Sequence, residues 1–324
     1  MRTWGFVIAI ELALAAVGMA VVTLILVQPF SAGGADETAA LAPAVELREP
    51  STPVPVTPSP TPDPLRCGPT VDGAYMSTAQ IVSYYGSPYT AQMGILGAME
   101  PRALVEEVKA HAARYDALNG LRSVRPALHI VYGTAQGSPG VDGDYLLYLD
   151  DETMQEYIDL ACEEGLLVFV DMQIGRSDVE TEVRRVLEYL EQPNVHLAID
   201  PEFAMAPGEV PGQRIGTIDA ADVNAAQSIV ETLIEGEGLG DKILVVHQFT
   251  EKMVTRPELI ADFERVRLVM DMDGFGPAGV KQVKYGWFAE PAEYAGIKLF
   301  FEYDEGLMSE AEVLALDPNV IIYQ

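Results

Sequence analysis

After Gly68 the sequence repeats one pattern: a short β-branched or aromatic run, a polar loop and an amphipathic helix. Continuous apolar runs such as Leu166–Val170 and Ile243–Val246 are typical of parallel strands buried on both faces. The predicted strands are Gln80–Tyr85, Ala127–Tyr132, Leu166–Asp171, Val195–Asp200, Ile243–Gln248, Arg267–Asp271, Ile297–Glu302 and Asn319–Tyr323. Strands that alternate with helices in this number predict a (β/α)8 barrel of the TIM type over residues 67–324. An open doubly wound sheet is the alternative, but no G-x-G-x-x-G sequence follows the first strand.

Apolar stripes at helical spacing predict the helices between these strands. Pro101–Leu118 places Leu104, Val105 and Val108 on one face, and Pro101 suits a first helical turn. Similar patterns predict helices over Asp151–Glu164, Asp178–Glu191, Ala220–Glu235, Pro257–Arg265, Pro277–Tyr285 and Glu310–Ala315.

The amino-terminal segment is apolar from Gly5 to Val27 except for Glu11 and Thr23. This length suits one transmembrane helix, and Arg2 before it predicts a cytoplasmic amino terminus. We therefore expect residues 1–30 to be a single-pass signal-anchor in the cell membrane, with the rest of the chain extracytoplasmic. The alternative is a signal peptide whose cleavage releases a secreted protein. Residues 31–66, rich in Pro, Thr and Ser, predict a disordered, extended linker.

Charge excludes one class of partner. Lys and Arg number 20 against 49 Asp and Glu, which gives a net charge of -29. Such a surface repels phosphate backbones, so we expect no nucleic-acid binding. The expected partner is a carbohydrate or another neutral small molecule or polymer, with the membrane contacted only through the amino-terminal helix. The two cysteines, Cys67 and Cys162, fit either a disulfide outside the membrane or, for Cys162, a small core residue.

Nearly every predicted strand finishes in a carboxylate, an imidazole or an amide. The carboxyl ends of barrel strands meet at one mouth, where the active sites of such enzymes lie. An Asp after a strand is also a common helix N-cap, which explains any single acid. Several carboxylates around one mouth raise some of their pKa values by repulsion, a cost seldom met for stability alone. We therefore predict an active site at this mouth, with the acids Asp171, Asp200, Glu202, Asp271 and Glu302.

Paired carboxylates are the groups that hydrolyse glycosidic bonds. Glu202 follows the fourth predicted strand and Glu302 ends the seventh. This order resembles the large clan of retaining (β/α)8 glycoside hydrolases, although Asp200-Pro201-Glu202 replaces the clan's Asn-Glu pair. The resemblance implies Glu202 as general acid/base and Glu302 as nucleophile or electrostatic stabiliser, with Asp200 and Asp171 tuning them. The Asp-x-Glu spacing is also similar to that of muramidase-type and chitinase-like barrels.

Other side chains near the strand ends are candidates for substrate binding. Hydrogen-bonding groups and aromatic faces are what a sugar site uses. The predicted set is Tyr84, Tyr132, Gln173, His247, Gln248, Asp271, Asp273 and Tyr303. The loop Pro201–Ile218 is too long for a simple connection and is predicted to fold over the mouth as a wall or lid.

A metal site competes with the glycosidase hypothesis. Asp171, Glu202, His247 and Asp271 follow successive strands and offer ligands for a divalent ion, whose activated water would hydrolyse phosphoesters or amides. The sequence contains no H-x-H or H-E-x-x-H motif and only 4 His, of which His129 and His247 are candidates to face the mouth. We therefore predict no metal and no cofactor.

Several stretches resemble a family of exported bacterial proteins, often lipoproteins, that carries no assigned reaction. The matching stretches are DPEF (200–203), PGEVPG (207–212), VHQFT (246–250), DGFG (273–276) and KLFFEYD (298–304). The chain differs from the lipoprotein members because it lacks a lipidated Cys after the apolar segment.

The hypothesis carried forward is a membrane-anchored extracytoplasmic protein, similar to glycoside hydrolases, that acts on a carbohydrate such as a cell-envelope glycan. A non-catalytic glycan-binding surface module and a metal-dependent hydrolase are the alternatives. Turnover separates the first from the second, and metal analysis separates it from the third.

Overall fold

Eight parallel strands form a closed barrel in the computed structural model, which describes Cys67, residues 71–289 and residues 292–324. The barrel strands are β1 (Ala79–Gly86), β2 (Ser123–Ala135), β4 (Leu167–Gln173), β5 (Val195–Asp200), β7 (Lys242–Gln248), β9 (Val266–Met272), β10 (Tyr294–Leu299) and β11 (Val320–Tyr323). Each pairs in parallel with the next, and β11 pairs with β1 to close the cylinder. The predicted (β/α)8 barrel is confirmed for this part of the chain.

Short strands outside the barrel complete the sheets. β3 (Leu146–Tyr148) pairs antiparallel with the end of β2, and β6 (Ile218–Asp219) pairs with β8 (Val254–Thr255). The α-helices are Tyr75–Thr78, Pro101–Asp116, Asp151–Glu164, Val179–Arg185, Leu187–Leu190, Ala220–Glu237, Ala278–Phe288 and Glu310–Leu314. Single 3-10 turns lie at Ala91–Met93, Ile95–Ala98, Pro201–Phe203 and Pro257–Leu259.

The strands separate two hydrophobic cores because successive side chains of a strand point to opposite faces. The barrel interior packs residues such as Ile81, Phe169 and Val245. The larger outer core packs the other strand faces against the helices. This alternation determines which polar side chains enter the barrel.

The helix predicted over Pro257–Arg265 is wrong. Only Pro257–Leu259 forms a 3-10 turn, because the backbone groups that follow bond to side chains of the helix Ala220–Glu237. Asn224 donates to the Leu259 carbonyl and accepts from the Ala261 amide, and Gln227 donates to the Ala261 carbonyl. The helix predicted over Asp178–Glu191 is broken into two at Val186.

The seventh barrel strand ends earlier than predicted. β10 stops at Leu299, so the expectation that Glu302 ends a strand is wrong. The Asp304 carboxylate accepts from the Phe300 amide at 2.9 Å and turns the chain there. Lys281, which is buried, donates to both the Lys298 carbonyl and Asp304 and holds the turn against the helix Ala278–Phe288.

A disulfide joins Cys67 to Cys162, with 5.1 Å between the Cα atoms and a separation of 95 positions in sequence. Of the two predictions for Cys162, a disulfide or a small core residue, the structure has the disulfide. It ties the start of the described chain to the helix Asp151–Glu164.

The predicted transmembrane segment (1–30) and the predicted linker (31–66) both lie outside the described residues. Within residues 71–289 and 292–324, no helix has both the length and the apolar composition needed to cross a bilayer.

Candidate active site

Two imidazoles and a carboxylate meet inside the barrel. His129 on β2, Asp171 on β4 and His247 on β7 each point inward, and all three are fully buried. Oδ2 of Asp171 lies 3.1 Å from Nε2 of His129 and 3.0 Å from Nε2 of His247. The strands bring these residues together from positions up to 118 residues apart in sequence (129 to 247).

The other nitrogen of His247 faces two further acids. Nδ1 lies 2.8 Å from Oδ2 of Asp271 and 3.6 Å from Oδ2 of Asp273. Asp273 also accepts a hydrogen bond from Nζ of Lys298 at 3.1 Å. The Lys298 ammonium, 2% exposed, lies 3.6 Å from the ring centroid of Tyr85. These contacts continue the polar network from the His247 imidazole towards the carboxyl ends of the strands.

Asp200 at the end of β5 is held by two neighbours. Its Oδ1 accepts from the Glu202 amide at 2.9 Å, and its Oδ2 accepts from Nε2 of Gln173 at 3.4 Å. Oε1 of Gln173 in turn accepts from the Ala135 amide at 2.7 Å, which orients the side-chain amide. We call Tyr85, His129, Asp171, Asp200, His247, Asp271, Asp273 and Lys298 the interior cluster.

Four carboxylates act electrostatically on the phenol of Tyr85. Burial raises the pKa of Tyr85 well above its usual value, and the charges of Asp171, Asp200, Asp273 and Glu202 raise it further. Glu202, half-buried in the 3-10 turn after β5, therefore lies within electrostatic reach of the interior cluster. Of the acids predicted to meet at the mouth, Asp171, Asp200 and Glu202 act on this one phenol.

The environments of the acids separate their pKa values. Burial raises the pKa of Asp200, repulsion from Asp171 and Asp273 adds to it, and the opposing charges of His247 and Lys298 leave it at about 6. Burial also raises the pKa of Asp171, but the imidazoles of His247 and His129 outweigh burial and hold it well below its usual range. Carboxyl groups with separated pKa values are what acid–base catalysis uses.

The two imidazoles of the cluster also differ. Burial lowers the pKa of His129 to about 4, so this imidazole is neutral at pH 7. Burial would lower the pKa of His247 as well, but Asp171 and Asp271 raise it well above its usual value. In the metal-free chain His247 is thus an imidazolium between two carboxyl groups.

Several predicted site residues lie outside the interior cluster. Tyr84 and Tyr132 point outward into the helix-facing core, where Tyr84 contacts His111 at 3.1 Å and Tyr132 packs against the ring of Tyr189. Gln248 donates to the Thr250 carbonyl in the turn after β7.

Glu302 and Tyr303 lie in the exposed turn after β10. The carboxylates with the largest effect on the pKa of Tyr85 do not include Glu302. The Tyr303 ring lies 6.0 Å from that of Phe275, and both are 51% exposed. Their assigned roles stay predictions.

The predicted lid contacts the loop that follows β4. The Met205 amide donates to the Gly175 carbonyl at 2.7 Å, and Nε of Arg176 donates to the Glu209 carbonyl. Gly175 has a φ of +56°, and a Cβ there would collide with the Asp144 carbonyl. Only glycine therefore lets the backbone of residue 144 lie this close to the loop after β4. The segment 201–218 therefore forms a wall at the carboxyl ends of β4 and β5.

Besides Tyr85, the sequence prediction missed one further residue of the interior cluster, Lys298. It lies in the apolar run Ile297-Lys298-Leu299, where an alternating strand pattern would have placed it opposite the outward Leu299 and inside the barrel. A lysine at an inward position requires a buried partner, here Asp273.

Together, the closed parallel barrel and the acids at its carboxyl end define a (β/α)8 protein with an enzyme-like polar site. No protein-family profile matches the sequence, and no curated protein matches it significantly. The resemblance to exported bacterial lipoproteins thus gains no support from these comparisons.

Several solved structures show a weak likeness to the chain. An oxaloacetate acetylhydrolase in complex with the inhibitor 3,3-difluorooxalacetate covers 76% of this chain and 74% of its own, with a TM-score of 0.43 and 11% identity. A cellulase gives the same coverages, with a TM-score of 0.40 and 11% identity. An alpha-N-acetylgalactosaminidase from Bifidobacterium bifidum covers 54% of this chain and 37% of its own, with a TM-score of 0.27 and 13% identity. With TM-scores below 0.5, these likenesses do not carry a reaction over to the chain.

Proposed function

We propose that the chain is a hydrolase that cleaves a neutral carbohydrate with paired carboxylates at the carboxyl end of its barrel. The buried acids Asp171, Asp271 and Asp273 surround the His247 imidazole, and Asp200 ends the strand between β4 and β7; this gathering of acids carries the proposal. Buried acids gathered from separate strands repel one another, and a site that needs a proton donor and a carboxylate explains why they are together.

Asp200 is the candidate general acid. With a pKa of about 6, roughly a tenth of the groups hold a proton at pH 7 and can give it to a glycosidic oxygen. Its 3% exposure places it at the edge of the buried cluster. Glu202, two residues further on, is the acid/base predicted from the sequence, and it shares this end of β5.

Asp273 is the candidate carboxylate that faces the positive charge of an oxocarbenium-like transition state. It follows β9 directly, is 7% exposed and is paired with the Lys298 ammonium. We assign this role to Asp273 in place of Glu302, because Asp273 belongs to the interior cluster and Glu302 lies in an exposed turn.

Substrate class follows from charge and exposed aromatics. The net charge of -29 disfavours anionic polymers. Phe275 and Tyr303, in the loops after β9 and β10, expose flat faces of the kind on which sugar rings stack. A neutral glycan of the cell envelope fits both features.

The proposed location is the outer face of the cell membrane, with residues 1–30 as anchor. The Cys67–Cys162 disulfide supports it, because such bridges persist in oxidising compartments. The linker would then hold the barrel away from the bilayer.

The test is release of reducing ends when purified full-length chain is incubated with neutral envelope glycans. Asp200→Asn should lower the rate by ~10²–10⁴, and Asp273→Asn should also lower it strongly. Asp142→Asn, in an exposed turn, is the matched control and should keep the wild-type rate. Calorimetric binding of a glycan without any product would overturn the hydrolase assignment and favour a glycan-binding module. Full activity in Asp200→Asn would overturn the role of Asp200.

A further inference from the structure

Three ligand-type atoms from three strands meet around Oδ2 of Asp171. The three atoms are Oδ2 of Asp171, Nε2 of His129 and Nε2 of His247. They lie within 4.8 Å of one another, and all three residues are fully buried. The proposed acid–base chemistry uses neither imidazole directly, so this group needs its own explanation.

The separations match the edges of a metal coordination sphere. Metal–nitrogen and metal–oxygen bonds of about 2.1 Å that meet at 90° place two ligand atoms about 3.0 Å apart, whereas a tetrahedral angle separates them by about 3.4 Å. The observed separations from Oδ2 of Asp171 are 3.1 Å and 3.0 Å. These separations suit hydrogen bonds and equally suit neighbouring ligands at about 90° around one ion.

The surroundings of His247 are those of a metal ligand. A ligating histidine usually donates its other ring N–H to a carboxylate, which orients the ring. Nδ1 of His247 lies 2.8 Å from Oδ2 of Asp271, which is itself fully buried. His196 is another buried histidine of the barrel interior. Its Nδ1 accepts from the Ile243 amide, and no carboxylate of the described residues bonds to its ring.

Hydrogen bonds alone leave part of this group unsatisfied. Oδ1 of Asp171 and Nδ1 of His129 are buried and have no hydrogen-bond partner within the described part of the chain. A buried carboxylate oxygen without a partner is destabilising, because it has lost its hydration and gained no hydrogen bond. Coordination of an ion by both oxygens of Asp171 would satisfy the first of these atoms.

A second group of possible ligands, His247, Asp271 and Asp273, is the weaker site. It would use Nδ1 of His247, and Asp273 is already paired with the Lys298 ammonium at 3.1 Å. That positive charge would repel a cation placed beside Asp273. Asp271 therefore serves as the carboxylate that orients His247.

We propose that Nε2 of His129, Nε2 of His247 and the Asp171 carboxylate bind one divalent first-row transition ion, of the zinc, iron or manganese type. Two imidazoles and one carboxylate favour such ions over calcium or magnesium. On binding, the ion takes the place of the proton between His247 and Asp171, and that proton is released to solvent. The three protein ligands leave other coordination positions open.

The test measures metal content. Full-length chain purified without chelator is analysed by mass spectrometry for bound metals. It is then stripped with EDTA and titrated with Zn²⁺ and, separately, with Co²⁺. We expect about one ion per wild-type chain, at most about a tenth of that in His129→Asn and His247→Asn, and an affinity lowered ~10–100-fold in Asp271→Asn. His196→Asn is the matched control, because it alters another fully buried barrel histidine, and it should bind as the wild type does.

Two outcomes would overturn the site. One is failure of the stripped wild-type chain to bind either ion. The other is equal binding by wild type, His129→Asn and His247→Asn, which would indicate binding to surface acids. If the variants do not fold, the wild type still decides: about one Co²⁺ should bind per stripped chain and be displaced by Zn²⁺, and failure to bind either ion contradicts the proposal. None of these readouts requires a substrate, so failure of the metal site and failure of the proposed hydrolase are separate results.

Discussion

Replacing Asp200 with Asn should stabilise the protein at high pH and not at low pH. The folded pKa of Asp200 is about 6, because burial and the neighbouring acids Asp171 and Asp273 disfavour its charge. In the unfolded chain the pKa is about 3.9. Between these values the unfolded state has lost the proton that the folded state keeps, so the stability of the wild type falls as pH rises from 4 to beyond 6.

The size of the effect follows from that difference. About two pKa units at 1.36 kcal/mol each give a penalty of about 3 kcal/mol at pH 8, and none below pH 4. Asn is neutral throughout and avoids the penalty. Its Oδ1 can still accept from the Glu202 amide, while the 3.4 Å contact with Gln173 is lost, at a cost of about 1 kcal/mol or less. The net expectation is a variant about 2 kcal/mol more stable than the wild type at pH 8.

The assay is denaturant unfolding of chelator-treated full-length chain at pH 4, 6 and 8, because a cation beside Asp171 would lower the pKa of Asp200. Asp142→Asn, which removes an exposed carboxylate, should differ from the wild type by less than about 0.5 kcal/mol at each pH. If Asp200→Asn is less stable than the wild type by the same amount at pH 4 and pH 8, the carboxyl group is not destabilised by its surroundings, and its assignment as a proton donor near neutrality loses its basis.

Two further substitutions test the contacts that hold the site. Lys298→Met leaves the buried Asp273 carboxylate without its ammonium partner, so the free energy of unfolding at pH 7 should fall by about 3–5 kcal/mol. A fall of less than about 1 kcal/mol would contradict a buried ion pair. Cys67→Ser removes the bridge to Cys162 and should lower the free energy of unfolding by about 2–5 kcal/mol. The reduced wild type should melt at the same temperature as this variant. Equal melting temperatures for the oxidised wild type and the variant would show that the bridge contributes nothing.

The strands were predictable because their sequences are locally unambiguous. Runs such as Leu167–Val170 are apolar on both faces, as only a strand between an inner and an outer core requires. The segment Pro257–Arg265 has a helical pattern but bonds to Asn224 and Gln227 of a neighbouring helix. Those partners lie more than 30 residues away (224 to 259), so no local pattern contains them.

The site was predictable only in part, because the strand register decides which side chains face the barrel interior. Tyr84 and Tyr85 are adjacent, and alternation sends one into the helix-facing core and the other into the interior cluster. The prediction that Glu302 ends a strand was wrong for a related reason. The strand before it ends at Leu299, where a hydrogen bond to Asp304 turns the chain.

The amino-acid order is enough to predict eight buried strands, the helices between most of them and acids near the strand ends, because periodicity and apolar runs are local properties. Which acids share one environment depends on closure of the barrel. Closure surrounds one interior with β2, β4 and β7, and it places His129, Asp171 and His247 within hydrogen-bonding distance there. It also excludes water from them, so burial and mutual charge, which no isolated segment possesses, set the pKa values on which the proposed chemistry depends.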